Sequence, residues 1–218
     1  EKGIDFDVNA AKSMIQEPKE EYQIDLIITQ PTKTTKDIGT EAFPDLLGEC
    51  KTNYQASNTN RTTNLILASN KINGTVLLPN EEFSYNKVVG ERTIAAGYKS
   101  AATFSNGKVV DGLGGGICQI SSTLYDAVVF ANLKVTTRRN HQFVTSYLPA
   151  GKDATVVWGS QDFKFVNTRK YPIRLTATVK GGVATIQVWG VKEEVEYDIS
   201  IETKKIATIN PTTQYVQD

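Results

Sequence analysis

Three adjacent glycines lead directly into a cysteine in Gly112-Leu113-Gly114-Gly115-Gly116-Ile117-Cys118-Gln119. Ile120, Leu124, Val128 and Ala131 then recur at spacings of four, four and three, which predicts a helix from about Cys118 to Ala131 with one apolar face. Cys118 falls in its first turn. The backbone N–H groups there lack internal partners and stand at the positive end of the helix dipole, so a thiol at this point is favoured as thiolate. Glycine lets a substrate approach the backbone closely, and free N–H groups of Gly114, Gly115 and Gly116 are candidate donors to a tetrahedral oxyanion. The chemistry suggested is acyl transfer through a thioester. Two plainer readings compete with it. Cys118 could be a small buried hydrophobe beside glycines that permit tight packing. The glycines could also cradle phosphate, although both the Lys-Ser/Thr ending of a P-loop and the spaced dinucleotide fingerprint are missing.

His141 follows Cys118 by 23 residues and is the only histidine. A helix, a turn near Asn132-Leu133 and a strand over Lys134–Thr137 fill the interval, enough chain to run out and back, so His141 is the candidate general base. Asp153 is the first candidate to orient it, with Asn140 or a backbone carbonyl as alternatives. Between Ser84 and His141 there are seven basic and three acidic residues, among them Lys99, Lys108, Arg138 and Arg139, a mildly positive stretch suited to a carboxylate-bearing substrate. Cys50 has neither a glycine loop nor a helix start and reads as structural.

These residues need a scaffold, and the remaining chain predicts an α+β fold. It would consist of mixed or antiparallel sheets, a buried helix opening at the Gly-Gly-Gly-Ile-Cys segment, and a small N-terminal α+β segment. Asn58 and Thr59 offer N-cap chemistry for a helix carrying Leu65, Ala68 and Ile72, and Asn73-Gly74 closes it. Short extended segments follow at Thr75–Leu78 and Phe83–Tyr85. Ala154–Trp158, Phe163–Asn167, Ile173–Val179 and Ala184–Trp189 read as strands rich in β-branched and aromatic residues, with Gly181-Gly182 as a hairpin turn. Tyr197–Glu202 is expected to be a final strand. Residues 1–43 combine a helix over Asn9–Ile15, a strand over Tyr22–Ile28 and a Thr-, Lys- and Pro-rich linker. Residues 44–192 form the main domain. Residues 193–218 form a strand and polar tail.

Composition narrows the function. The 218 residues hold 24 basic and 24 acidic side chains, which gives no case for a nucleic-acid partner. One histidine and two cysteines argue against a histidine-rich metal site and a disulfide scaffold, and no metal or cofactor is expected. No apolar run approaches the roughly 20 residues of a membrane helix. The opening Glu1-Lys2-Gly3 reads as an excised ectodomain or processed product, with any signal or anchor upstream.

From about Leu47 to Gly190 the chain resembles the VanW-type family, named for vancomycin-resistance clusters and common in surface proteins of Gram-positive bacteria. The matching residues are Asn60-Arg61-Thr62-Thr63-Asn64, Leu78 to Ser84, Ala96-Gly97-Tyr98, Gly114 to Tyr125, Arg138 with His141, Tyr147, Gly151 to Val156 and Asp162 to Phe165. Residues 1–40 resemble more weakly the end of a peptidoglycan-binding module. The resemblance implies an extracellular, wall-associated role on peptidoglycan stem peptides. It also implies an L,D-transpeptidase reaction with Cys118 as nucleophile and His141 as its partner. Tyr98, Gln119, Ser121, Arg138 and Tyr147 join the glycines as residues expected to bind substrate or oxyanion. Better-known L,D-transpeptidases carry histidine ahead of cysteine, whereas here cysteine comes first, so a shared mechanism would rest on geometry. A thiol hydrolase and a non-catalytic wall-binding module are the alternative readings.

Overall fold

The computed structural model describes residues 3–16, 18–19, 21–29, 42–105, 108–142 and 144–207. The chain divides into two units, 1–42 and 43–218. In the first, β1 (Gly3–Phe6) pairs antiparallel with β2 (Leu26–Thr29), so the strand expected over Tyr22–Ile28 begins four residues later. Between them lies α1 (Val8–Met14), capped by the Asp7 carboxylate, which accepts from the Asn9 and Ala10 amides. The expected linker around residues 30–40 and the tail from 209 lie outside the described residues.

The second unit is built on a four-stranded antiparallel sheet. Its strands are β3 (Asp45–Asn53), β4 (Val76–Leu77), β10 (Ile173–Lys180) and β11 (Val183–Gly190), in the order β3-β11-β10-β4. Alternation sets its buried face: Ala184, Ile186 and Val188 of β11 and Ile173, Leu175 and Ala177 of β10 point into the core. On that face lie α2 (Thr59–Ile72) and α4 (Ile117–Phe130). The approach of α4 is so close that a Cβ on Gly48 of β3 would stand 2.3 Å from the Ala127 carbonyl oxygen.

A second sheet, β5 (Glu82–Ser84), β9 (Lys164–Val166) and β8 (Lys134–Thr137), closes the core, with Phe83 stacked on Phe165 at 5.0 Å. A short helix, α3 (Tyr85–Val89), follows β5 where extended chain was expected to continue, because Ser84 accepts from the Lys87 amide as an N-cap. β6 (Ser100–Ser105) and β7 (Lys108–Leu113) form a hairpin leading into the glycines. The whole is α+β, and α4 is buried nearly all round in its first three turns.

Two expected strands are absent. Ala154–Trp158 is extended but forms no ladder, with only a single bridge between Val157 and Gln161. Its Ala154 is bonded through both N–H and C=O to serine hydroxyls of α4, so the groups a neighbouring strand would use are already engaged. Tyr197–Glu202 is irregular, since no described strand stands beside it.

Candidate active site

The glycine turn sets the start of α4. Gly114 and Gly116 have φ of 78° and 104°, a left-handed backbone that suits glycine. Gly115 faces the β6 backbone so closely that a Cβ would lie 2.3 Å from the Ala101 carbonyl oxygen. The buried Asn64 of α2 holds the turn: its amide nitrogen donates to the carbonyls of Gly115 and Lys99, and its oxygen accepts from the Lys99 amide. The turn's own N–H groups are partly consumed. Gly114 donates to Lys99, Gly115 to Gly112, Ile117 to Gly114 and Gln119 to Gly116, which leaves the N–H groups of Gly116 and Cys118 without a partner among the described residues. The expected donor set Gly114–Gly116 therefore needs correction, because two of its three N–H groups already donate to backbone carbonyls.

Cys118 is half-buried and lines a groove of about 840 Å³. Its thiol points at the Val156 carbonyl, 3.5 Å away. His141 lines the same groove. Its Nδ1 and its backbone N both lie 2.5 Å from Asp153 Oδ2, so the carboxylate fixes the ring and leaves Nε2 as its other nitrogen. Burial pulls the imidazole pKa down, but its hydrogen bond and charge interaction with Cys118, followed by those with Asp153, outweigh burial and hold it above the ordinary histidine value. Asp153 is buried and tied in by Arg138, whose guanidinium donates to the Asp153 and Gly151 carbonyls at 2.7 and 3.0 Å and pairs with Oδ1 at 3.3 Å. The segment is anchored again where the Thr155 amide donates to the Arg139 carbonyl at 2.7 Å. A thiol and an imidazole thus share one open groove, with an orienting carboxylate bonded to the imidazole, an arrangement able to deprotonate the thiol and pass that proton on. Asn140, the alternative to Asp153, instead bonds to the His141 carbonyl.

Several expected binding residues lie elsewhere. Tyr98 is 3% exposed, packs in the core and does not line the groove. Ser121 is fully buried and donates to the carbonyls of Ala154 and Cys118, so it secures α4 to the loop. Gln119 does line the groove beside Cys118, but it is 1% exposed and its amide is spent on Thr52, Asn53 and Arg61, so it acts there through Arg61. Arg138 serves Asp153 rather than the groove. Tyr147 does line the groove, with its hydroxyl 3.5 Å from Ser122 Oγ, and burial pushes its pKa well up. Side-chain direction within a buried helix follows from tertiary packing, which is why motif spacing alone misplaced Ser121.

Sequence reasoning passed over two arginines of the groove. Arg61 lies three residues before Asn64 on α2 and so shares its face, a signal present in the sequence. Arg92 packs over the rings of Tyr85 and Trp158, 5.6 and 6.0 Å from their centroids.

The family model for VanW-like proteins matches residues 60–189, from the start of α2 to the end of β11, with Arg61, Cys118, His141 and Asp153 all inside it. The chain belongs to the VanW-like family. It is 44% identical over 143 residues to YoaR, an uncharacterized protein of Bacillus subtilis, covering 66% of this chain and 47% of that protein. It thus spans about half the length of this relative. It is 28% identical over 197 residues to the vancomycin B-type resistance protein VanW of Enterococcus faecalis, covering 83% of this chain and 68% of that protein. No solved structure matches.

Proposed function

We propose that this VanW-like domain is a cysteine L,D-transpeptidase that cross-links peptidoglycan stem peptides outside the cell. One observation carries the reading: Cys118 opens α4 in an exposed groove, beside an imidazole that Asp153 orients. The relation to a protein named for vancomycin resistance supports a wall-directed role.

In this mechanism His141 takes the Cys118 proton, and the sulfur attacks the carbonyl that precedes the terminal D-residue of a tetrapeptide stem. The unpartnered N–H groups of Gly116 and Cys118 are the donors suited to the tetrahedral oxyanion. The intermediate collapses as His141 returns the proton to the leaving amine. The D-residue departs and a thioester remains on Cys118. An amine of a second stem then attacks the thioester and gives its proton to His141. The new amide is released, and the proton returns to the thiolate. Asp153 stabilises the imidazolium in both halves without taking the proton.

The test is incubation of the domain with a purified disaccharide-tetrapeptide, read by mass spectrometry beside Cys118→Ala. The expected result is a cross-linked dimer with release of one D-residue, lost in the variant. Free D-residue without dimer would establish hydrolysis by water instead. Identical outcomes from both proteins would leave only a wall-binding role.

A further inference from the structure

We propose that Arg61 is the anion-recognition residue of the groove and binds the substrate carboxylate adjacent to the reacting carbonyl. Assigning that carboxylate to the departing D-residue of a stem rests on the transpeptidase reading. The preference for an anion beside Cys118 does not.

The first argument is placement. The Arg61 side chain runs along Gly116, two residues before the nucleophile. A Cβ on Gly116 would meet its Cγ and Nη1, each at 2.9 Å. Arg61 lines the same groove as Cys118 and His141.

The second is unspent charge. Described ion pairs in this unit are Lys51–Glu49, Arg138–Asp153, His141–Asp153 and Arg169–Glu196, and Arg61 takes part in none of them. Glu91 lines the groove too, but among the described residues it forms an ion pair with neither Arg61 nor Arg92. Nη2 of Arg61 donates to Gln119 Oε1 at 2.7 Å, while its other guanidinium N–H groups have no partner among the described residues and are not sealed from solvent. A half-buried cation without a carboxylate is costly, and that cost is recovered when an anion arrives.

The third is construction. Gln119, which holds the guanidinium, is itself clamped by Thr52 Oγ1 at 3.0 Å and the Asn53 carbonyl at 2.9 Å. The fork is therefore aimed before ligand binds, which reduces the ordering cost of recognition. Burial lowers the Arg61 pKa, and charge interactions with Tyr147 and Cys118 oppose that effect, a further sign that guanidinium and sulfur share one field.

The experiment compares Cys118 alkylation by iodoacetate with that by iodoacetamide, which differ in a carboxylate beside the reactive carbon. Rates are followed by peptide mapping. A change in thiol acidity affects both reagents alike, so the ratio of the two rates isolates the anion preference. In the wild type the iodoacetate-to-iodoacetamide ratio is expected to exceed that of glutathione by about tenfold and to shrink with added salt. Arg61→Gln is expected to return it to the glutathione value, with Arg61→Lys between. A wild-type ratio equal to that of glutathione would overturn the proposal, as would a ratio unchanged in Arg61→Gln or one abolished by Arg92→Gln alone. Should Arg61→Gln lose its folded circular dichroism, the wild-type ratio, its salt dependence and Arg61→Lys still decide. An Arg61-dependent ratio without any cross-linking of stems would retain the anion site and remove the transpeptidase reading.

Discussion

Cys50 lies in the middle of β3, 8% exposed, with its thiol 3.9 Å from the buried carboxylate of Asp126. Cys118 lies at the start of α4, on the wall of the groove, with an imidazole beside it. Burial, followed by the Asp126 charge, pushes the Cys50 thiol up to about 12. The contrast concerns depth first and neighbours second. Cys50 faces an acid that penalises thiolate, whereas Cys118 shares its groove with a base and two arginines, and stands by backbone N–H groups without partners among the described residues. The same side chain is passive in one place and equipped for attack in the other.

The strongest test of this contrast is to delete each sulfur in turn. Cys118→Ala is expected to lower cross-linking by about 10³-fold or more. Cys50→Ala should leave it within about twofold when measured on protein of equal folded fraction. Loss of activity in Cys50→Ala alone would reverse the assignment. Protection comes next. A thiol near 12 carries about a thousandth of the thiolate of free cysteine at neutral pH, so Cys50 is expected to resist iodoacetamide until the protein is denatured, as mass mapping would reveal.

The third test weakens the imidazole. Asp153→Asn is expected to cut kcat/KM by about 10²-fold or more. The pH profile supplies the sign. His141 holds its proton above the ordinary 6.5, so the acid limb of kcat/KM should lie above that pH, because the protonated ring cannot accept the thiol proton. Removing the Asp153 charge moves that limb to lower pH. The smallest effect belongs to the Cys50 side. Burial raises Asp126 to about 6, above its unfolded value. The folded state then binds the extra proton, so this contribution to stability is complete below about pH 4 and is lost as pH rises through 6. The melting temperature should fall between pH 4 and 7 in the wild type and fall less, by several degrees, in Asp126→Asn.

Local patterns made part of this molecule legible. The four-four-three apolar spacing and the glycine run locate α4 to within a residue, and alternation with β-branched residues locates β10 and β11. The structure brings together Cys118, His141 and Asp153, which sequence distance alone could only make feasible. What escaped the sequence depends on partners. Ala154–Trp158 carries strand composition, yet Ser121 and Ser122 hold its backbone. The hairpin of β6 and β7 brings small and polar residues without marked alternation. Arg61 lies 57 residues before Cys118, and only the packing of α2 against α4 makes them neighbours.

The single imidazole of this chain has a practical consequence. With histidine labelled in ¹⁵N, this chain contributes one ring to the spectrum, and that ring stands in the groove. Tautomer and protonation at the reacting centre can then be followed through each step of turnover without background resonances.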